Sequence, residues 1–246
     1  MLPVAKLYSA LAFAETNRLF DQLNNVYAKL PSTTCKRCGT CCSDPPPATI
    51  VEFLNVYRYV RDNLPERHQE LVRKAAEFFF LDLVKVEMRC PFLNEEDNRC
   101  LVYEVRPFSC RAYGQLTEEE FNKRNTTRML GDISDHYWRE FGFTLPTEVL
   151  DFKLPYCTDL ENPEGKVDGE MVDAGLVYLL EQDARIVPAQ IVYEQATLVP
   201  LPYHLAMTAL ADGIRAKRPE VMKEYLEKGE GPLLDKFLER TERFKF

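Results

Sequence analysis

The chain has 246 residues, 46% hydrophobic and 28% charged, with a net charge of −8 at pH 7 and a pI near 5.1. That size and balance suit a folded domain with an ordinary core and exclude a disordered or collagen-like chain. The acidity gives no electrostatic reason to wrap nucleic acid, and no apolar run approaches the roughly 20 residues of a membrane span.

Leu19, Leu23, Val26 and Leu30 recur at helical steps, which predicts one amphipathic helix over 7–30 ending before Pro31. Lys6 and the following LYSALAFA imitate a secretory signal, but the stretch is short and the helical pattern runs through it. Residues 31–47 read as a cysteine-rich loop. It contains CKRCGTCC at 35–42 and closes with Pro45-Pro46-Pro47, which no helix or central strand can hold. Thr49 with Glu52 three residues on forms a capping box. It opens a helix with Ile50, Phe53, Leu54, Tyr57 and Val60 on one face, which stops near Asn63-Leu64-Pro65. A further helix is expected over 66–84, with Leu71, Ala75, Phe78 and Leu81 as its stripe.

From residue 86, VEMRCPFLNEEDNRCLVYE has two short apolar segments around a polar turn, Asn94 to Asn98. That predicts a β-hairpin with Cys90 and Cys100 on facing arms. RPFSCRAYG follows as one helical turn with Pro107 at its start. Helical patterns then cover 117–141, 168–182, 202–216 and 218–240, the last broken at Gly229 to Gly231. Proline-dotted connectors fill 143–167 and 183–201. The expected fold class is mainly α: a helical domain with a small β-hairpin and a cysteine-rich metal-binding loop. One domain would span 1–246, with a metal-binding core at 31–115 and a helical part at 116–246 packed as a lid.

Eight cysteines could suggest disulfides, but Cys41 and Cys42 could bond each other only as a strained vicinal pair. A chain of this length needs no disulfide staples, and without a convincing secretory signal a reducing cytoplasm is the expected compartment. Clustered thiols there read as metal-binding or redox groups. Cys35-x2-Cys38-x2-Cys41 resembles the opening of bacterial ferredoxin motifs, in which three thiolates of one loop meet three corners of a 4Fe–4S cube. Cys90-Pro91 is the candidate fourth ligand. Gly39 can take positive φ and turn backbone N–H groups toward sulfur.

Zinc is the competitor, because C-x2-C-G is also the pattern of a zinc knuckle. A knuckle explains neither the third cysteine nor the adjacent Cys42, which is therefore assigned to a second site. Cys35, Cys38, Cys41, Cys42, Cys90, Cys100, Cys110 and Cys157 are the candidate ligands, enough for two four-thiolate centres. Cys157 also reads as a buried free thiol. So many thiols without a histidine partner favour iron–sulfur over zinc.

His68, His136 and His204 are far apart, with no H-x3-H or HExxH, and read as surface or core residues. No G-x-G-x-x-G, P-loop or G-x-S-x-G occurs, so nucleotide binding and serine hydrolysis have no support, and no catalytic residue is assigned.

CKRCGTCC followed by CPFLNEEDNRCLVYEVRPFSCRAYG resembles the CxxCxxCC, or YkgJ-type, family of zinc- or iron-chelating proteins. Cys90-Pro91-Phe92-Leu93, Cys100, Tyr103-Glu104, Arg106-Pro107 and Cys110-Arg111 each match an element of its pattern. The resemblance covers residues 35–115 and implies chelation by the seven core cysteines, with Cys157 outside it and the metal left open. The same block is similar to that of flagellin lysine N-methylase, which implies an iron–sulfur cluster and methyl transfer to a protein lysine.

Gly39, Arg106 and Arg111 are the cofactor-binding candidates. The arginines either offset thiolate charge or bind an anion, or else pair with Glu104. Phe92 and Tyr103 are expected to pack the hairpin on the helices. Three functions are therefore expected. The first is an iron–sulfur protein with a redox or cluster-dependent catalytic role, the second a structural zinc module for a protein partner, and the third lysine methyl transfer.

Overall fold

The structure, a computed structural model, describes residues 4–86, 88–124, 127–187, 197–210, 213–229 and 231–246. Among the described residues it is 62% helical, with strands only as small antiparallel pairs, as the mainly α expectation requires. The helix expected over 7–30 is two helices, α1 (Val4–Thr16) and α2 (Leu19–Tyr27). Arg18 takes a left-handed φ of 55° between them. The break turns Leu19, Phe20, Leu23 and Val26 into the core.

α3 (Ile50–Asn63) lies at the centre, with Ile50 to Tyr57 all buried. A helix covered on every face must satisfy its orphan N-terminal N–H groups from within the protein. The expected capping box is present, and Glu52 Oε2 accepts from Thr49 N at 2.8 Å. Asp183, from α9 (Gly169–Ile186), adds its two carboxylate oxygens to Ile50 N at 2.8 Å and Val51 N at 2.9 Å. Glu52 Oε1 accepts from Tyr27 Oη at 3.2 Å and from Phe108 N. Phe108 opens α5 (Phe108–Ala112), so one buried carboxylate joins α2, α3 and the short helix that carries Cys110.

α4 (His68–Leu81) packs along α10 (Leu201–Leu210), where Tyr203 meets Phe79 edge-on at 5.1 Å. α11 (Ile214–Lys228) and α12 (Pro232–Arg240) close over α4, and the Phe80 and Phe237 rings lie 4.9 Å apart. The expected helices 202–216 and 218–240 are thus redistributed. α10 ends at Leu210, α11 starts after Gly213 (φ 95°) with Pro219 inside it, and Gly229 (φ 77°) ends it. This C-terminal part packs on α4, with Leu201 its contribution to the cysteine loop's surroundings.

The expected helix 117–141 divides into α6 (Glu118–Lys123) and α7 (Thr127–Phe141); residues 125–126 lie outside the described residues. The connector 143–167 holds α8 (Thr147–Leu150). The connector 183–201 begins later than expected, since α9 runs to Ile186, and its residues 188–196 lie outside the described residues.

Among the described residues there are three strand pairs, and two of them stitch distant segments. β1 (Thr34–Cys35) pairs with β5 (Leu160–Glu161), and β2 (Pro47–Ala48) with β6 (Val199–Pro200). β3 (Leu93–Asn94) pairs with β4 (Arg99–Cys100) and forms the expected hairpin in minimal form. Cys90 precedes β3, and Leu93 is the residue opposite Cys100. Among the described residues no helix is long and apolar enough to cross a membrane.

Candidate metal centre

The cysteine loop leaves β1 through two left-handed residues, Arg37 (φ 58°) and Gly39 (φ 73°). The first turns Arg37 N toward Cys35 Sγ at 3.4 Å. The second lets Arg89 reach in. Arg89 Nη2 donates to Gly39 O at 3.1 Å, and a Cβ on residue 39 would lie 2.6 Å from that nitrogen. A 3-10 turn, Thr40–Cys42, follows, and Cys42 O accepts from Cys90 N at 2.7 Å. The Cys-Pro segment is therefore seated beside Cys42. β4 brings Cys100, α5 brings Cys110, and the β1–β5 pairing brings Cys157 from the connector.

All eight cysteines, each a free thiol, line one cavity of about 350 Å³. Arg37, Arg99, Arg106, Arg111, Tyr103 and Tyr113 share its wall. The sulfurs crowd one another: Cys41 Sγ lies 4.0 Å from Cys42 Sγ. Contact with Cys41 lowers Cys42, but contact with Cys90 and burial outweigh it and raise the thiol.

Burial pushes Cys100 up to about 11 and Cys110 well above the ordinary thiol range. Contact with Cys42, and then burial, raises Cys41. Such thiols stay neutral near pH 7 unless a cation binds them, because adjacent thiolates in an enclosed space repel.

Arg106 lies over the Tyr103 ring, 3.7 Å from its centroid. Its Nε and Nη1 are buried without a hydrogen-bond partner. Partnerless guanidinium nitrogens on a thiol-lined wall call for a negatively charged group to complete them. Arg111 has its partners already. It donates to Arg106 O at 2.9 Å and to Glu104 O, and stacks on Tyr27 at 4.2 Å. It therefore braces the 104–106 turn through backbone carbonyls, where a pairing with the Glu104 carboxylate was the alternative. Phe92 is buried in the core as expected, while Tyr103 faces the cavity beneath Arg106.

The histidines stand apart. His68 contacts Val60 O at 3.0 Å, His204 is buried on Ala48 O at 2.9 Å, and His136 is exposed. Among the described residues no group of three or more His, Cys, Asp or Glu side chains is placed so as to hold a metal ion. The all-sulfur donor set, the enclosure and the unsatisfied Arg106 fit a thiophilic metal or cluster. The sulfurs are gathered without being pre-aimed, as neutral thiols packed side by side can be.

Residues 34–127 match the family model of the CxxCxxCC domain. That family is described as a zinc- or iron-chelating domain, in line with the resemblance read from the cysteine spacing. The uncharacterized protein MJ0661 of Methanocaldococcus jannaschii is 30% identical over 90 residues, covering 35% of this chain. The matched stretch spans 47% of that relative's length, about half. No solved structure matches the chain.

Cys157 and α7 to α12 lie outside the CxxCxxCC domain apart from the start of α7. Sequence reading did not single out Arg89, Tyr113 or Gly114, which shape the cavity. Gly114 closes the RPFSCRAYG motif, and that position was the available signal.

Proposed function

We propose that the CxxCxxCC domain holds iron as an iron–sulfur cluster, in the service of electron transfer or cluster-dependent catalysis in a reducing cytoplasm. The carrying observation is the set of eight thiols and the buried, unpaired Nε and Nη1 of Arg106 around a cavity lined by no histidine and by a single carboxylate residue, Glu104. Cys35, Cys38 and Cys41 would hold iron at the outer end. Cys42, Cys90, Cys100 and Cys110 would hold it at the inner end, where the Cys42–Cys90 backbone bond seats the Cys-Pro segment. A bound cluster supplies one-electron exchange.

The chain's own residues set the conditions for it. Arg106 keeps two buried N–H donors, Nε and Nη1, unpaired and available to negative charge on sulfur. Arg37 N offers a further donor to Cys35. Phe92 and Val102, both buried, keep water from the inner wall and favour charge-neutralised sulfur.

One observation favours zinc as the second reading. The 4.0 Å between Cys41 and Cys42 sulfurs approaches the roughly 3.8 Å edge of a zinc–thiolate tetrahedron with bonds of about 2.3 Å. In that case the metal would be structural, holding a surface for a protein partner. Anaerobic purification separates the two readings. The cluster gives a brown protein with iron and acid-labile sulfide. Colourless protein with stoichiometric zinc and no sulfide overturns it.

A further inference from the structure

Cys157 lies beyond the CxxCxxCC domain, yet its side chain lines the cavity. Several contacts press its segment down. Leu160 pairs with Cys35 in the β1–β5 ladder. Tyr113 Oη donates to Pro155 O at 2.5 Å, and Tyr156 Oη to Leu116 O at 3.0 Å. Beneath lies Gly114 at φ 78°, where a Cβ would come within 2.9 Å of Cys157 Cβ and 3.3 Å of its sulfur. Lys166 Nζ holds that glycine through its carbonyl at 2.7 Å. The cradle thus needs glycine both for its backbone and for the space that Cys157 fills.

The β1–β5 register sets Leu160 opposite Cys35, so the Cys157 segment runs beside the start of the CKRCGTCC loop, where Arg37 N donates to Cys35 Sγ at 3.4 Å. Cys157 lines the same cavity as Cys35, Cys38 and Cys41, while Cys90 is tied through its N–H to Cys42 O. Three loop thiols and one from the strap make a four-thiolate set.

We propose that Cys157 is the fourth thiolate of the outer end, for a thiophilic metal ion or a cluster iron, and that residues 155–161 form a strap which bound metal fastens over the CxxCxxCC domain. The proposal rests on the reading of the cavity as a metal centre. On binding, the Cys157 S–H proton passes to solvent as the sulfur–metal bond forms.

The test is amide hydrogen exchange over 155–161, read together with metal content. It uses metal-free protein, zinc-loaded protein and protein reconstituted anaerobically with iron and sulfide. Wherever wild-type protein retains metal, exchange in the strap should slow by about ten-fold or more over the metal-free state. In Cys157→Ser that slowing should vanish. Metal retained with strap exchange unchanged, or Cys157→Ser slowing as wild type does, overturns the proposal while the metal centre stands. Failure to retain metal in either arm overturns the metal centre and the strap with it. The wild-type comparison needs no variant, so misfolding of Cys157→Ser leaves it decisive.

Discussion

An added Cβ at Gly39 would meet Arg89 Nη2 at 2.6 Å and Asn98 Oδ1 at 3.1 Å, on backbone already at φ 73°. Gly39→Ala should therefore destabilise the metal-free protein by about 1–2 kcal/mol, read as a lower urea midpoint, and should also weaken metal retention. An unchanged midpoint would show that the loop relaxes freely. Arg106 separates the two effects. Its partnerless Nε and Nη1 are a cost without metal, so Arg106→Met should leave metal-free stability within about 0.5 kcal/mol or raise it. The same variant should lose metal to a competing chelator faster than wild type; equal loss rates would remove Arg106 from the centre. Gly39 was legible in sequence because it follows Cys38 inside the motif. Gly114 was not, because the side chain it makes room for, Cys157, arrives from a segment far along the chain.

Among the elements, α3 was legible down to its cap, because Thr49 and Glu52 are local. The two carboxylate bonds from Asp183 were not, since they come from α9. The break between α1 and α2 was hidden for another reason. Periodicity reports which face is apolar, and Arg18 carries none of the glycine, proline or asparagine marks of a left-handed residue. The β1–β5 and β2–β6 pairs are only two residues long and non-local, so no alternation announces them.

The β2 seam gives a pH prediction. His204, the first helical turn of α10, sits buried on Ala48 O, and burial holds its pKa down to about 4. The unfolded chain, near 6.5, binds the proton first, so this contribution is complete above pH 6.5 and is lost as pH falls toward 4. It amounts to on the order of 3 kcal/mol. Asp183 has the opposite sign. Burial raises it to about 7, so its contribution is greatest below the unfolded value near 3.8 and fades as pH rises through 7. Thermal unfolding of metal-free wild type and His204→Gln between pH 6.5 and 4 isolates the first effect. The wild type should lose stability more steeply on acidification; parallel curves would contradict the assignment.

Across the whole molecule, the apolar core of α3, α4 and α10 packs without the cavity. Phe53, Leu54, Leu71, Phe79, Phe80 and Leu205 are buried among helices, while seven of the eight cysteines are outside the fully buried set. Removing metal should leave the far-ultraviolet circular dichroism nearly intact and disturb the cysteine loop and the strap. A collapse of helicity on chelation would favour structural zinc. The sequence made the mainly α class and the CxxCxxCC domain legible because both rest on local spacing. All eight cysteines were legible as candidate ligands, but that a single cavity gathers them was not, because Cys157 is carried there by the β1–β5 ladder and the Gly114 cradle.

The most direct test of the metal centre is iron, zinc and acid-labile sulfide analysis of protein purified anaerobically, combined with Mössbauer spectroscopy. Iron and sulfide in comparable amounts, with spectra of thiolate-bound clusters, are the expected result. Stoichiometric zinc in a colourless protein without sulfide would contradict it.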